Sequence, residues 1–182
     1  MIKNRALFLD KDGVINVDHG YVCTPERTNF IDGIFELCRA ATAHGYLNVV
    51  VTNQAGIARG YYTEKEFLVY MDWVRGEFRK RHAQLDAVYY CPHHSVHGVG
   101  QYQCDCECRK PKPGMLFAAQ RDMKIDLAGS LLVGDSQSDL DAGRTVGLRE
   151  CIQVQAKQLS SGAAMLDPVE LQHVLRALAR MG

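Results

Sequence analysis

The chain has 182 residues, 47% hydrophobic and 23% charged, values that suit one soluble domain with a core of its own. Lys plus Arg equals Asp plus Glu at 21 each, so the formal net charge is zero, which gives no electrostatic case for nucleic acid or an anionic membrane as the main partner. No apolar run approaches the ~20 residues that span a bilayer, and the N-terminal apolar stretch is too short for a signal-peptide core; the expectation is a cytoplasmic protein with reduced thiols.

Five apolar runs of strand length are predicted in chain order: "ALFL" before Asp10, "LNVVV" before Thr52, "LDAVYY" before Cys91, "SLLVG" before Asp135 and "ECIQV" over 150–154. Most are nearly continuous rather than alternating, the pattern of parallel strands covered on both faces. Between them the periodicity predicts helices. Residues Asp32 to His44 place Ile34, Leu37, Cys38 and Ala41 on one face, with Gly45 as the stop. Thr63 to Arg81 opens on a capping box and carries Phe67, Tyr70, Met71, Val74 and Phe78 as a core stripe. Helices are also expected from Pro113, over "SQSDLDAGRTVG" ending at Gly147, and over "DPVELQHVLRALARM", with Asp167 as N-cap and Glu170 completing its box. Residues 156–166 read as the flexible loop. Strands alternating with helices, without repeat or linker, predict a single α/β domain over 1–182.

In open α/β sheets ligands sit outside the carboxyl ends of the strands, and polar residues collect there: Asp10 and Asp12, Thr52 and Asn53, Asp135. Residues two apart on an extended segment point the same way, so Asp10 and Asp12 are expected to share a pocket. Three converging carboxylates repel unless a hard cation joins them, and Mg2+ takes one or two carboxylates together with substrate phosphate. A second cluster, "CPHHSVHGVGQYQCDCECRKP", holds four cysteines and three histidines. In a reduced compartment that density predicts a structural zinc loop over about 91–108, normally with four ligands. On chemistry alone several quartets satisfy it.

The motifs "FLDKDGVIN", "VVVTNQ", "CRKPKPGM" and "LLVGDSQSD", in this order over residues 8–139, resemble those of haloacid dehalogenase (HAD) superfamily phosphatases. The resemblance implies a Rossmann-like parallel sheet; superfamily members often carry a large cap domain, and no segment here is long enough to be one. It makes Asp10 the nucleophile that forms an aspartyl-phosphate and Asp12 the general acid and base. Thr52, Asn53 and Lys110 would bind the phosphoryl group, and Mg2+ would be held by Asp10, Asp135 and the Asp12 backbone carbonyl. Asp139 would support the metal ligands.

Within the superfamily the zinc loop is similar to that of the heptose-bisphosphate and histidinol phosphatase families, whose C-x-H and C-x-C pairs map to Cys91, His93, Cys106 and Cys108. Cys104 is then surplus, and its pairing with Cys106 is an equally spaced alternative. "NVDHGYV" and "NQAGIARG" are similar to the heptose-bisphosphate family. That likeness puts Asp18, His19, Gly20, Tyr21, Gln54 and Arg109 at the substrate, with Arg109 or Arg59 as contact for a distal phosphate. Ser136 stands where some members have lysine.

The expected activity is removal of the 7-phosphate of D-glycero-D-manno-heptose 1,7-bisphosphate, a step toward lipopolysaccharide, by a monomer whose partner is a phosphorylated sugar. The alternatives are a histidinol-phosphate phosphatase and a catalytically inactive zinc-loop interaction module.

Overall fold

The structure, a computed structural model, describes residues 4–160 and 162–180. Its centre is a five-stranded sheet of β1 (Arg5–Leu9), β2 (Tyr46–Asn53), β3 (Ala87–Cys91), β4 (Leu131–Gly134) and β5 (Glu150–Gln153), in the order β3-β2-β1-β4-β5 and parallel throughout. The helices are α1 (Ile34–Ala43), α2 (Ala55–Ala58), α3 (Glu64–Lys80), α4 (Gly114–Met123), α5 (Gln137–Thr145) and α6 (Pro168–Ala179).

The continuous apolar strands are explained by cover on both faces. Alternate side chains of β1 divide between two cores: Leu7 and Leu9 pack with residues of α1, α3 and α6, whereas Ala6 and Phe8 pack with residues of α4 and α5. Each buried Leu or Phe contributes roughly 1.5–3 kcal/mol by leaving water. The side-chain nitrogen of the buried Asn48 in β2 is satisfied, donating to the Cys38 carbonyl and the Thr42 hydroxyl, whereas its Oδ1 has no partner among the described residues. After β1 the chain builds outward through β2 and β3, then returns to place β4 on the other side of β1. The switch point therefore falls between β1 and β4, where an open sheet leaves a crevice.

Helix ends follow their caps. Thr63 and Glu66 close the reciprocal box that starts α3. At α6 Asp167 accepts from the Val169 amide, but the expected box does not close: Glu170 instead accepts from the Gln155 amide, tying α6 to the loop after β5. Helix α1 begins at Ile34 rather than Asp32, because Gly33 adopts φ 97° as its N-cap.

Residues 156–166 are corrected from flexible loop to hairpin. β6 (Ala156–Gln158) pairs antiparallel with β7 (Ala164–Leu166). The buried Ala164 and Leu166 bond through their backbones to Asp32, which anchors the hairpin; Ser161 lies outside the described residues. The expected extension of α6 to Met181 also falls outside them. Among the described residues no helix is long and apolar enough to cross a membrane. Two excursions, 13–33 after β1 and 92–113 after β3, approach the carboxyl ends of the strands.

Candidate active site

β1 delivers Asp10 directly past its last residue, and the Asp10 amide still bonds to the Val133 carbonyl, so the carboxylate leaves from a rigid strand end. The chain then turns tightly, with Gly13 at φ 85°; a side chain at Gly13 would collide with the Asp135 carboxylate that β4 brings from the other side. Lys110 arrives from the excursion after β3. Asn53 fixes its backbone by accepting from the Lys110 amide at 3.0 Å and donating to the Lys110 carbonyl at 3.1 Å.

Lys110 is 5% exposed, and its ammonium has three partners: Asp10 Oδ1 at 2.8 Å, Asp139 Oδ1 at 2.6 Å and the Val51 carbonyl at 2.7 Å. Asp139 itself is buried in the first turn of α5, where its other oxygen accepts from the Ser136 amide and hydroxyl. One carboxylate thus both caps α5 and orients Lys110.

Carboxylate oxygens of Asp10, Asp135 and Asp139 lie within 4.8 Å of one another. Burial pushes the Asp10 carboxyl up to about 7, an effect offset in part by Lys110 and reinforced by Asp139 and Asp12. Burial, with Asp139 beside it, likewise pushes Asp135 up to about 6. Burial opposes the charge on Lys110, yet the two carboxylates hold its ammonium above the usual lysine range. Three acids against one ammonium leave an excess of negative charge that a divalent cation would balance, so the donor set fits Mg2+.

These groups line a cavity of about 470 Å3. It receives Asp10, Asp12, Thr52, Asn53, Lys110 and Asp135. Asp18, Gly20, Tyr21 and Gln54, expected at the substrate, line it too. The buried Thr52 hydroxyl accepts from Gln54, whose carbonyl oxygen accepts from Tyr62 at 2.7 Å. A larger, more apolar cleft of about 1060 Å3 beside α3 shares Tyr21 and Tyr62 with it but contains none of the acids at the strand ends.

Two of the expected substrate residues stand outside the cavity lining: His19 is exposed and bonded to Asn29, and the Arg109 guanidinium donates to the His93 carbonyl at 3.1 Å. Arg59 stacks over the Tyr21 ring at 5.9 Å, and its buried Nε has no partner among the described residues.

The Cys-His loop gathers Cys91, His93, Cys106 and Cys108, with sulfur–sulfur distances of 2.9–3.4 Å and the His93 ring nitrogen 3.4 Å from Cys108. Zn–S bonds of ≈2.3 Å in a tetrahedron separate sulfurs by about 3.8 Å, so a small outward adjustment admits the ion. Cys104 stands outside this group. The four ligand atoms match the chemistry of a closed structural zinc site.

Lys11 and Asn16, which motif reading passed over, clamp Asp12, and Tyr62 buttresses Gln54. A signal for Lys11 existed: between two acids that face the pocket, strand alternation must turn the intervening side chain into the core.

A strand-end nucleophile candidate, a lysine clamp and acids on either side of the switch point define a hydrolase site of the HAD class. A HAD-hydrolase-like family profile matches residues 107–179. The D-glycero-alpha-D-manno-heptose-1,7-bisphosphate 7-phosphatase of Burkholderia mallei is 57% identical over 92% of this chain and 89% of its own length. The corresponding beta enzyme of Haemophilus influenzae is 49% identical over 97% of this chain and all of its own. A crystal structure of the D,D-heptose 1,7-bisphosphate phosphatase from B. bronchiseptica, complexed with magnesium and phosphate, superposes with a TM-score of 0.79 at 29% identity, covering 98% of this chain and 99% of that one. The chain belongs to the family of heptose-1,7-bisphosphate 7-phosphatases.

Proposed function

We propose that this protein hydrolyses the 7-phosphate of D-glycero-D-manno-heptose 1,7-bisphosphate. The observation that carries the reading is Asp10, presented at the end of β1 beside Lys110 in a cavity with Asp12, in a chain 57% identical to a named 7-phosphatase.

Asp10 attacks phosphorus through a carboxylate oxygen while the bond from phosphorus to the C7 oxygen breaks. Asp12 donates its proton to that departing oxygen, so the sugar leaves as a neutral alcohol. Water then attacks the aspartyl-phosphate and gives a proton to Asp12, and the bond between phosphorus and Asp10 breaks. Inorganic phosphate and the free carboxylate result. Thr52, Asn53 and Lys110 hold the phosphoryl oxygens, and the fixed ammonium counters charge that grows in the transition state.

Mg2+ held by Asp10, Asp135 and the Asp12 carbonyl would supply positive charge against those oxygens. Zinc held by Cys91, His93, Cys106 and Cys108 would stiffen the loop that leads directly into Arg109 and Lys110. Asp18, Gly20, Tyr21 and Gln54 border the sugar from the cavity wall, and Arg59, whose Nε has no partner among the described residues, is a candidate for the distal phosphate.

Phosphorus NMR of the product tests the regiochemistry. The anomeric phosphate signal is expected to persist while inorganic phosphate grows; loss of the anomeric signal would reject this regiochemistry.

A further inference from the structure

Lys11 is fully buried at 0% exposure, between two residues of the proposed machinery. An unpaired ammonium in such a place is costly, so its partners explain its presence. Its Nζ lies 2.6 Å from Asp12 Oδ1, donates to the Val22 carbonyl at 3.0 Å and to Asn16 Oδ1 at 3.4 Å, and sits 5.4 Å from the centre of the Tyr70 ring. Asn16, also buried, donates its amide to the same Asp12 oxygen at 2.9 Å. Asp12 Oδ1 thus receives two donors from the core side. Oδ2 has no protein donor among the described residues, and Asp12 lines the cavity.

A carboxylate on a tight turn rotates readily unless one oxygen is held. A buried ion pair adds little net stability compared with apolar packing, so geometry rather than stability is the better account of this lysine. The Val22 contact also ties the clamp to the end of the 18–22 segment, whose Asp18, Gly20 and Tyr21 border the same cavity.

We propose that Lys11 is a positioning residue for proton transfer: with Asn16 it pins Asp12 Oδ1 and thereby aims Oδ2 at the oxygen that leaves phosphorus. The inference rests on the reading of Asp12 as general acid and base.

The test compares kcat/KM, which reports on the first bond-breaking step, for two substrates with Mg2+ present. Heptose 1,7-bisphosphate releases an alkoxide that needs a proton, whereas 2,4-dinitrophenyl phosphate releases a phenolate that does not. General acid catalysis contributes about 10²–10⁴-fold, so Lys11→Met is expected to lose about 10²-fold on the sugar phosphate and less than about threefold on the aryl phosphate. Lys11→Arg, which restores a cation, should recover most of the sugar-phosphate rate. Equal losses on both substrates, or no loss on either, would overturn the proposal.

Asp12→Asn is the control that separates the two ideas. If it shows the leaving-group selectivity and Lys11→Met does not, Lys11 alone is misassigned; if Asp12→Asn lacks the selectivity, the mechanism beneath is wrong. Should Lys11→Met fail to fold, Asn16→Ala removes the other clamp on the same oxygen. A selective loss there supports the proposal and an unselective one rejects it.

Discussion

Asp10 combines two properties that are hard to reconcile in water: it is a largely buried acid raised to about 7, and it sits 2.8 Å from an ammonium. Replacing it by Asn keeps the size and removes the nucleophilic charge, so Asp10→Asn is expected to cut phosphate release by at least about 10³-fold with the melting temperature nearly unchanged. Near-normal release would remove Asp10 from its role. The raised carboxyls also predict a direction for metal binding. A carboxyl with a raised value holds its proton to higher pH, and Mg2+ must displace that proton. As pH falls from 8 to 6, through the values of about 7 for Asp10 and about 6 for Asp135, Mg2+ affinity should weaken by about tenfold, measured by calorimetry on the free protein. Affinity that holds or rises on acidification would contradict this. At this scale the acids were legible because each follows an apolar strand. Lys11 and the double duty of Asp139 were not, since which core partner a long side chain reaches depends on tertiary packing.

Single elements divide into those governed by local rules and those governed by contacts. Helix α3 is of the first kind: Thr63→Ala removes an acceptor for the Glu66 amide, and a loss of about 1 kcal/mol in denaturant unfolding is expected. On the proposed zinc reading, the loop over 91–108 would depend on its ligands instead. Cys108→Ser should lower bound zinc from one per chain toward none and raise proteolytic cleavage near Arg109; unchanged zinc content would reject the quartet. The hairpin of β6 and β7 was hidden in the sequence because "AKQLSSGAAML" lacks an alternating apolar face. Its order comes from two backbone bonds to Asp32 and from burial of Ala164 and Leu166. The Glu170 box failed for a similar reason: a more distant amide, that of Gln155, claimed the carboxylate.

For the molecule as a whole, near-continuous strands separated by helices made the parallel sheet readable, and the strand order with β1 and β4 adjacent explains why residues more than 100 apart in sequence meet. The substrate is less legible, because pocket shape arises from the excursions 13–33 and 92–113 rather than from any local pattern. Family relatives carry both alpha and beta in their names, so the anomer is a matter for measurement. The most direct test of the central claim is phosphate release with Mg2+ from both anomers of heptose 1,7-bisphosphate beside histidinol phosphate, with Asp10→Asn as blank. For at least one heptose anomer kcat/KM is expected to exceed that for histidinol phosphate by about 10²-fold or more, with no release by Asp10→Asn. A preference for histidinol phosphate, or no release from any of the three, would contradict it.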